Sequence, residues 1–74
     1  MPTQPTQVKA HITGTVWKVE VTVGEQVMPG QVCVILESMK MEMPVEAPAA
    51  GTVEKVLVKE GQAVSEGDSL VTLK

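Results

Sequence analysis

Seventy-four residues allow a single domain, with a core that is marginal but feasible without disulfides. Six lysines, no arginine and nine carboxylates give a formal net charge of −3, which argues against nucleic acid and against an anionic membrane surface as partners. The single cysteine, Cys33, excludes an intrachain disulfide; the polar start MPTQPTQ is not a signal peptide and no apolar run is long enough to cross a bilayer. A soluble, cytoplasmic protein is therefore expected.

Residues 1–7 are polar and hold two prolines, so a disordered tail is expected there, with the folded domain over residues 8–74. Valine dominates the apolar set and suits strands. The predicted strands in the first half are Gln7–Ile12, Thr15–Thr22, Gln26–Met28 and Gln31–Leu36. Gly14, Gly24-Glu25 and Pro29-Gly30 mark the turns between them, the last with the Pro-Gly order of a type II turn. No 3.6-residue apolar stripe with caps calls for a helix.

The chain then repeats. Gly14-Thr15-Val16 recurs as Gly51-Thr52-Val53, an offset of 37 residues. The same offset carries Val8 to Val45, Ala10 to Ala47, Val21 to Val58, Gly24 to Gly61, Val27 to Val64, Gly30 to Gly67, Val34 to Val71 and Leu36 to Leu73. A duplicated four-stranded unit follows. Neither copy can bury its own apolar face, so the expected fold is all-β: a flattened barrel-sandwich hybrid of two four-stranded antiparallel sheets with an internal pseudo-twofold. A change of parity between Val16 and Val19, repeated between Val53 and Val56, predicts a β-bulge at Trp17-Lys18 and another at Glu54-Lys55.

Between the copies lies Glu37-Ser38-Met39-Lys40-Met41-Glu42. It joins the apolar run Val32–Leu36 to the alternating Met43, Val45 and Ala47, which is a hairpin pattern without the Asn-Gly that would fix its turn type. Residues 38–44 have no counterpart in the repeat. The pseudo-twofold therefore places Lys40 at one pole and both termini at the other.

The Met-Lys-Met tip at the dyad of a duplicated GTV…G…V…G pattern resembles the biotinyl/lipoyl attachment domains, of the biotin carboxyl carrier type, over residues 8–74. That resemblance implies that Lys40 is joined covalently to biotin by a biotin protein ligase. It also implies that the modified arm, roughly 14 Å long, carries a carboxyl group from a biotin carboxylase to a carboxyltransferase. A lysine amine is ordinarily protonated at neutral pH, so the ligase must supply an activated acyl donor and remove the proton. Met39 and Met41 are expected to be recognised by these partners, with plugging of the barrel end as the alternative for Met41. Glu37 and Glu42 either orient the tip, repel the wrong ligase or are plain solvated flanks.

Ser38 and the run Ala10-His11-Ile12-Thr13-Gly14 depart from the family's usual Ala and Ala-Pro-Met-Pro-Gly. The short turn before Val27 leaves no room for the thumb loop of some acetyl-CoA carboxylase carriers. A lipoyl domain of a 2-oxo acid dehydrogenase or glycine cleavage system is the nearest rival, although its tips usually lack the flanking methionines. An unmodified adaptor module is the rival from another class. His11 has no partners at metal-ligand spacing, Cys33 reads as a core thiol and Trp17 as a rim residue. No nucleophile–base pair or phosphate loop is present, so no catalysis is expected.

Overall fold

The computed structural model describes residues 6–74. Eight strands follow one another: β1 (Thr6–Lys9), β2 (Gly14–Val19), β3 (Gln26–Val27), β4 (Val32–Ser38), β5 (Met41–Glu46), β6 (Gly51–Val56), β7 (Ala63–Val64) and β8 (Ser69–Leu73). Of the expected tail, residues 1–5 lie outside the described residues, while Thr6 and Gln7 pair with Leu73 and Thr72 in β1. β1 ends at Lys9, short of the predicted Ile12, and β2 ends at Val19, short of Thr22.

The strands form two four-stranded sheets, ordered β1-β8-β6-β3 and β5-β4-β2-β7. Every pairing is antiparallel. Exchanging β1–β4 with β5–β8 converts one order into the other, which is the predicted pseudo-twofold. Each sheet takes two strands from each copy, so the copies interleave.

The core repeats the offset of 37 without exception. Its sixteen buried apolar residues are Val8, Ala10, Val16, Val21, Val27, Cys33, Val34 and Leu36, with their mates Val45, Ala47, Val53, Val58, Val64, Leu70, Val71 and Leu73. Alternation puts them inside: in β5, Val45 is buried between exposed Pro44 and Glu46. Each buried valine or leucine contributes about 1.5–3 kcal/mol of transfer free energy.

The predicted bulges are present, with register shifts between Val16 and Lys18 and between Val53 and Lys55. Two more occur at Cys33 and Leu70, where the ladder skips a residue. These let the consecutive residues Cys33-Val34 and Leu70-Val71 all point inward, because the extra residue resets the period of two. At Cys33 the sequence shows only the continuous apolar run Val32–Leu36, which hides the bulge from periodicity, whereas at its mate the adjacent pair Leu70-Val71 is flanked by polar Ser69 and Thr72.

Four turns share one construction. The Gln31 N–H donates to the Met28 carbonyl at 3.0 Å, and Gly30 between them has φ 87°, the type II geometry predicted from Pro29-Gly30. The side chain of Gln31 folds back and accepts from the Met28 N–H through Oε1 at 3.2 Å. Glu25, Gln62 and Asp68 accept from Thr22, Lys59 and Ser65 in the same way. A Cβ added at Gly30 meets nothing within 4 Å, so only the backbone conformation opposes it. Gly30→Ala is expected to cost about 1–2 kcal/mol, read as a lower urea midpoint at unchanged slope. An unchanged midpoint would show that the left-handed conformation is not required.

Candidate functional site

The hairpin β4–β5 carries Lys40. Its ladder runs Leu36 opposite Met43, Glu37 opposite Glu42 and Ser38 opposite Met41, leaving Met39 and Lys40 as a two-residue turn. Both turn residues have positive φ, 52° at Met39 and 64° at Lys40. That is the type I′ signature, which matches the right-handed twist of the strands it joins. It normally selects Asn-Gly, and here it is built from two residues with full side chains. Left-handed backbone costs such residues roughly 1–2 kcal/mol each, so the flanking ladder must hold the turn in place. With no glycine at the tip, this turn type could not be read from the sequence.

The turn fixes what is displayed. Lys40 is exposed. Met39 is 92% exposed and Met41 63%. Neither methionine plugs the barrel end, while Met43, two residues on, is half-buried. Glu37 and Glu42 are both exposed and face each other across the ladder. Like charges directly opposite are mutually unfavourable, and Lys40 is the cation nearest to them in sequence.

The base of the hairpin is clamped from the side. Glu37 pairs with Glu42 of β5 on one edge and with Thr15 of β2 on the other. Gly14 and Thr15 pair in turn with Val64 and Ala63 of β7. The Glu66 N–H donates to Thr13 Oγ1 at 3.3 Å, tying the residue before β2 to the turn after β7. At the opposite pole Thr52 and Lys74 exchange backbone hydrogen bonds of 3.0 and 2.9 Å. Lys40 and the carboxyl end of the chain therefore occupy opposite ends.

The remaining candidates lie elsewhere. Cys33 is fully buried, and burial, then the nearby negative charge of Glu25, pushes its thiol up, away from the thiolate that reacts. Trp17 is 43% exposed in the β2 bulge, with Lys18 Nζ 5.8 Å from its ring centroid. His11 is exposed. Among the described residues no three His, Cys, Asp or Glu side chains gather at metal-holding distance. A cleft of about 260 Å³, lined by Gln26, Val27, Met28, Ala50, Gly51 and Thr52, sits beside the terminal pole and away from Lys40.

Fold and tip together define a class: a small β-domain that displays one lysine at the tip of the hairpin joining the two copies of a duplicated unit. Comparison with known proteins places the chain within it. The family model described as "Biotin-requiring enzyme" matches residues 2–73. The chain is 48% identical over 66 residues to a biotin/lipoyl attachment protein of Bacillus subtilis, covering 89% of this chain and 90% of that one. It is 47% identical over 64 residues to a biotin carboxyl carrier protein of Streptococcus mutans, covering 86% of this chain and 49% of the other. Its fold superposes on part of the urea carboxylase of Kluyveromyces lactis with a TM-score of 0.91 and 35% identity, covering all of this chain and 6% of the larger one. The chain belongs to the biotin/lipoyl attachment family. It is a biotin carboxyl carrier domain, non-catalytic, whose cofactor is covalently attached biotin.

Proposed function

We propose that Lys40 is the attachment point, its Nζ joined to the biotin carboxylate as an amide by a biotin protein ligase in the cytoplasm. The observation that carries this reading is the Met39–Lys40 turn, which holds the lysine exposed between two exposed methionines at the pole away from the chain's carboxyl end. Amide formation removes the lysine charge and makes a chain of charge −3 one unit more acidic. Biotin held there receives a carboxyl group at a biotin carboxylase and delivers it to a carboxyltransferase. The domain contributes rigid presentation and a high effective concentration of the arm at each site. Neither a nucleic acid nor a membrane takes part.

Intact mass after co-expression with a biotin ligase is the test. One biotin increment is expected on the wild-type chain and none on Lys40→Ala. Labelling that survives Lys40→Ala, or no labelling of the wild type by an active ligase, rejects the assignment. The Bacillus subtilis relative is named for both biotin and lipoyl attachment, so lipoate is the second cargo to examine. A lipoyl ligase offered the same chain is expected to label it poorly, because lipoyl tips usually lack the flanking methionines.

The methionines are assigned to partner recognition. Their exposure leaves them little packing role, so Met39→Ala and Met41→Ala are expected to change stability by less than about 0.5 kcal/mol. The same variants are expected to slow carboxyl transfer severalfold, by removing flexible apolar contact surface. Transfer at the wild-type rate in both variants would remove the recognition role.

A further inference from the structure

Gly14 and Gly51 are mates under the pseudo-twofold, and so are Glu37 and Lys74. The pseudo-twofold thus sets the same contact at both poles, Gly14 against Glu37 and Gly51 against Lys74. The two contacts are not equally tight. A Cβ added at Gly14 would stand 2.6 Å from the Glu37 carbonyl oxygen, 3.3 Å from its carbonyl carbon and 3.4 Å from Ser38 Cβ. A Cβ added at Gly51 would stand 3.2 Å from the Lys74 carbonyl oxygen and 3.2 Å from Leu73 Cβ. The Gly14 backbone has no positive φ, so its need for glycine is one of space alone.

We infer that Gly14 is a positioning residue for Lys40. It lets β2 close onto the last residues of β4, directly beneath the turn. The inference rests on Lys40 being the attachment point. A methyl group at Gly14 meets backbone rather than a movable side-chain end, so the strands must separate by roughly half an ångström or more to restore ordinary contact. Glu37 is held on its other edge by Glu42, so that displacement passes into the Glu37–Glu42 pair and the Ser38–Met41 closure. A turn with two left-handed residues persists only while its surroundings over-determine it. Once the base opens, Met39 and Lys40 can relax out of the left-handed region, and Nζ leaves the place where the ligase meets it. Gly51 serves the termini in the same way and has no influence on the tip.

The test compares Gly14→Ala with Gly51→Ala in the complete chain, by amide hydrogen exchange and by steady-state biotinylation with a biotin protein ligase. Gly14→Ala is expected to speed exchange at Glu37–Glu42 at least about tenfold while the Thr52–Lys74 region stays protected. It is also expected to lower kcat for biotinylation about tenfold at equal folded fraction. Gly51→Ala is expected to loosen the terminal pole and to change kcat less than about twofold.

Equal effects of the two variants on biotinylation would show a general stability effect and overturn the inference, as would wild-type behaviour of Gly14→Ala. If Gly14→Ala does not fold in buffer, the same comparison is made in a stabilising osmolyte such as sucrose. Exchange at Glu37–Glu42 is then still expected to be faster than in the wild type, and unchanged exchange there overturns the inference. Wild-type labelling that does not map to Lys40 would defeat the attachment assignment instead. Hydrogen exchange at the hairpin would then decide the positioning role alone.

Discussion

Replacing Lys40 with glycine is expected to abolish biotin incorporation and, at the same time, to stabilise the domain. The lysine sits at φ 64°, a conformation that costs a residue with a Cβ roughly 1–2 kcal/mol and costs glycine nothing. Glycine also gives the unfolded chain more freedom, which returns about 0.4–1 kcal/mol of that gain. The balance is a net stabilisation of about 0.5–1 kcal/mol, which raises the melting midpoint by roughly 4 °C in a domain of this size. Lys40→Ala loses biotin equally but keeps the Cβ, and its midpoint is expected to stay with the wild type. Differential scanning calorimetry of the three proteins, with intact mass as the activity readout, separates the two effects. A lower midpoint for Lys40→Gly would mean that the turn is not strained at that residue. The expected pattern is a small local case of stability given up where function needs a particular side chain.

The second large effect is expected in the core. Leu36 is fully buried in β4, and its mate Leu73 is 1% exposed in β8. Truncating a buried leucine to alanine costs about 2.7–5 kcal/mol, depending on how far the cavity collapses. A domain of 74 residues is stable by something on the order of 4–11 kcal/mol in total. Leu36→Ala is therefore expected to remove roughly a quarter or more of the stability and to lower the urea midpoint accordingly, as is Leu73→Ala. Because the two positions are related by the pseudo-twofold, their costs are expected to agree within about 1 kcal/mol. Leu57 is 45% exposed, and Leu57→Ala is the surface control, with an expected cost below about 1 kcal/mol. A cost at Leu36 no greater than at Leu57 would contradict a single packed core.

The duplication explains why so much of this architecture was legible. One offset, 37 residues, relates Gly14 to Gly51 and Val8 to Val45, and it holds for all sixteen buried apolar residues. The Val16–Val19 parity change marked its bulge because the apolar residues on either side of it alternate with polar ones. The bulge at Cys33 left no such mark, since Val32 to Leu36 is apolar at every position and any register reads alike. At Leu70 the adjacent pair Leu70-Val71, between polar Ser69 and Thr72, does break the alternation, and the offset of 37 would have carried that mark back to Cys33. Strand ends were overestimated at Ile12 and Thr22, where the chain leaves the ladder for a turn but keeps its apolar spacing.

At the tip, the residues were readable and the conformation was not. Met39 and Lys40 are poor turn formers by type, and only the flanking strands force them into the left-handed region. The close approach at Gly14 was hidden for a related reason. Its sequence signal, a glycine before a strand, is the same whether the residue turns the chain or merely makes room for a neighbouring carbonyl.

The interleaving of the two copies has a consequence for how the molecule is put together. With two strands of each copy in each sheet, the layout is that of an isologous dimer in which every contact is met again by its twofold mate. The two protomers are fused by a single linker, and the Met39-Lys40 turn is that linker's outermost point. A chain cut between Lys40 and Met41 would keep both sheets and become a two-chain assembly of unequal partners. Every other turn among the described residues has a twin whose geometry it shares. The linker alone has none, so its residues could be chosen for what they carry rather than for how they fold.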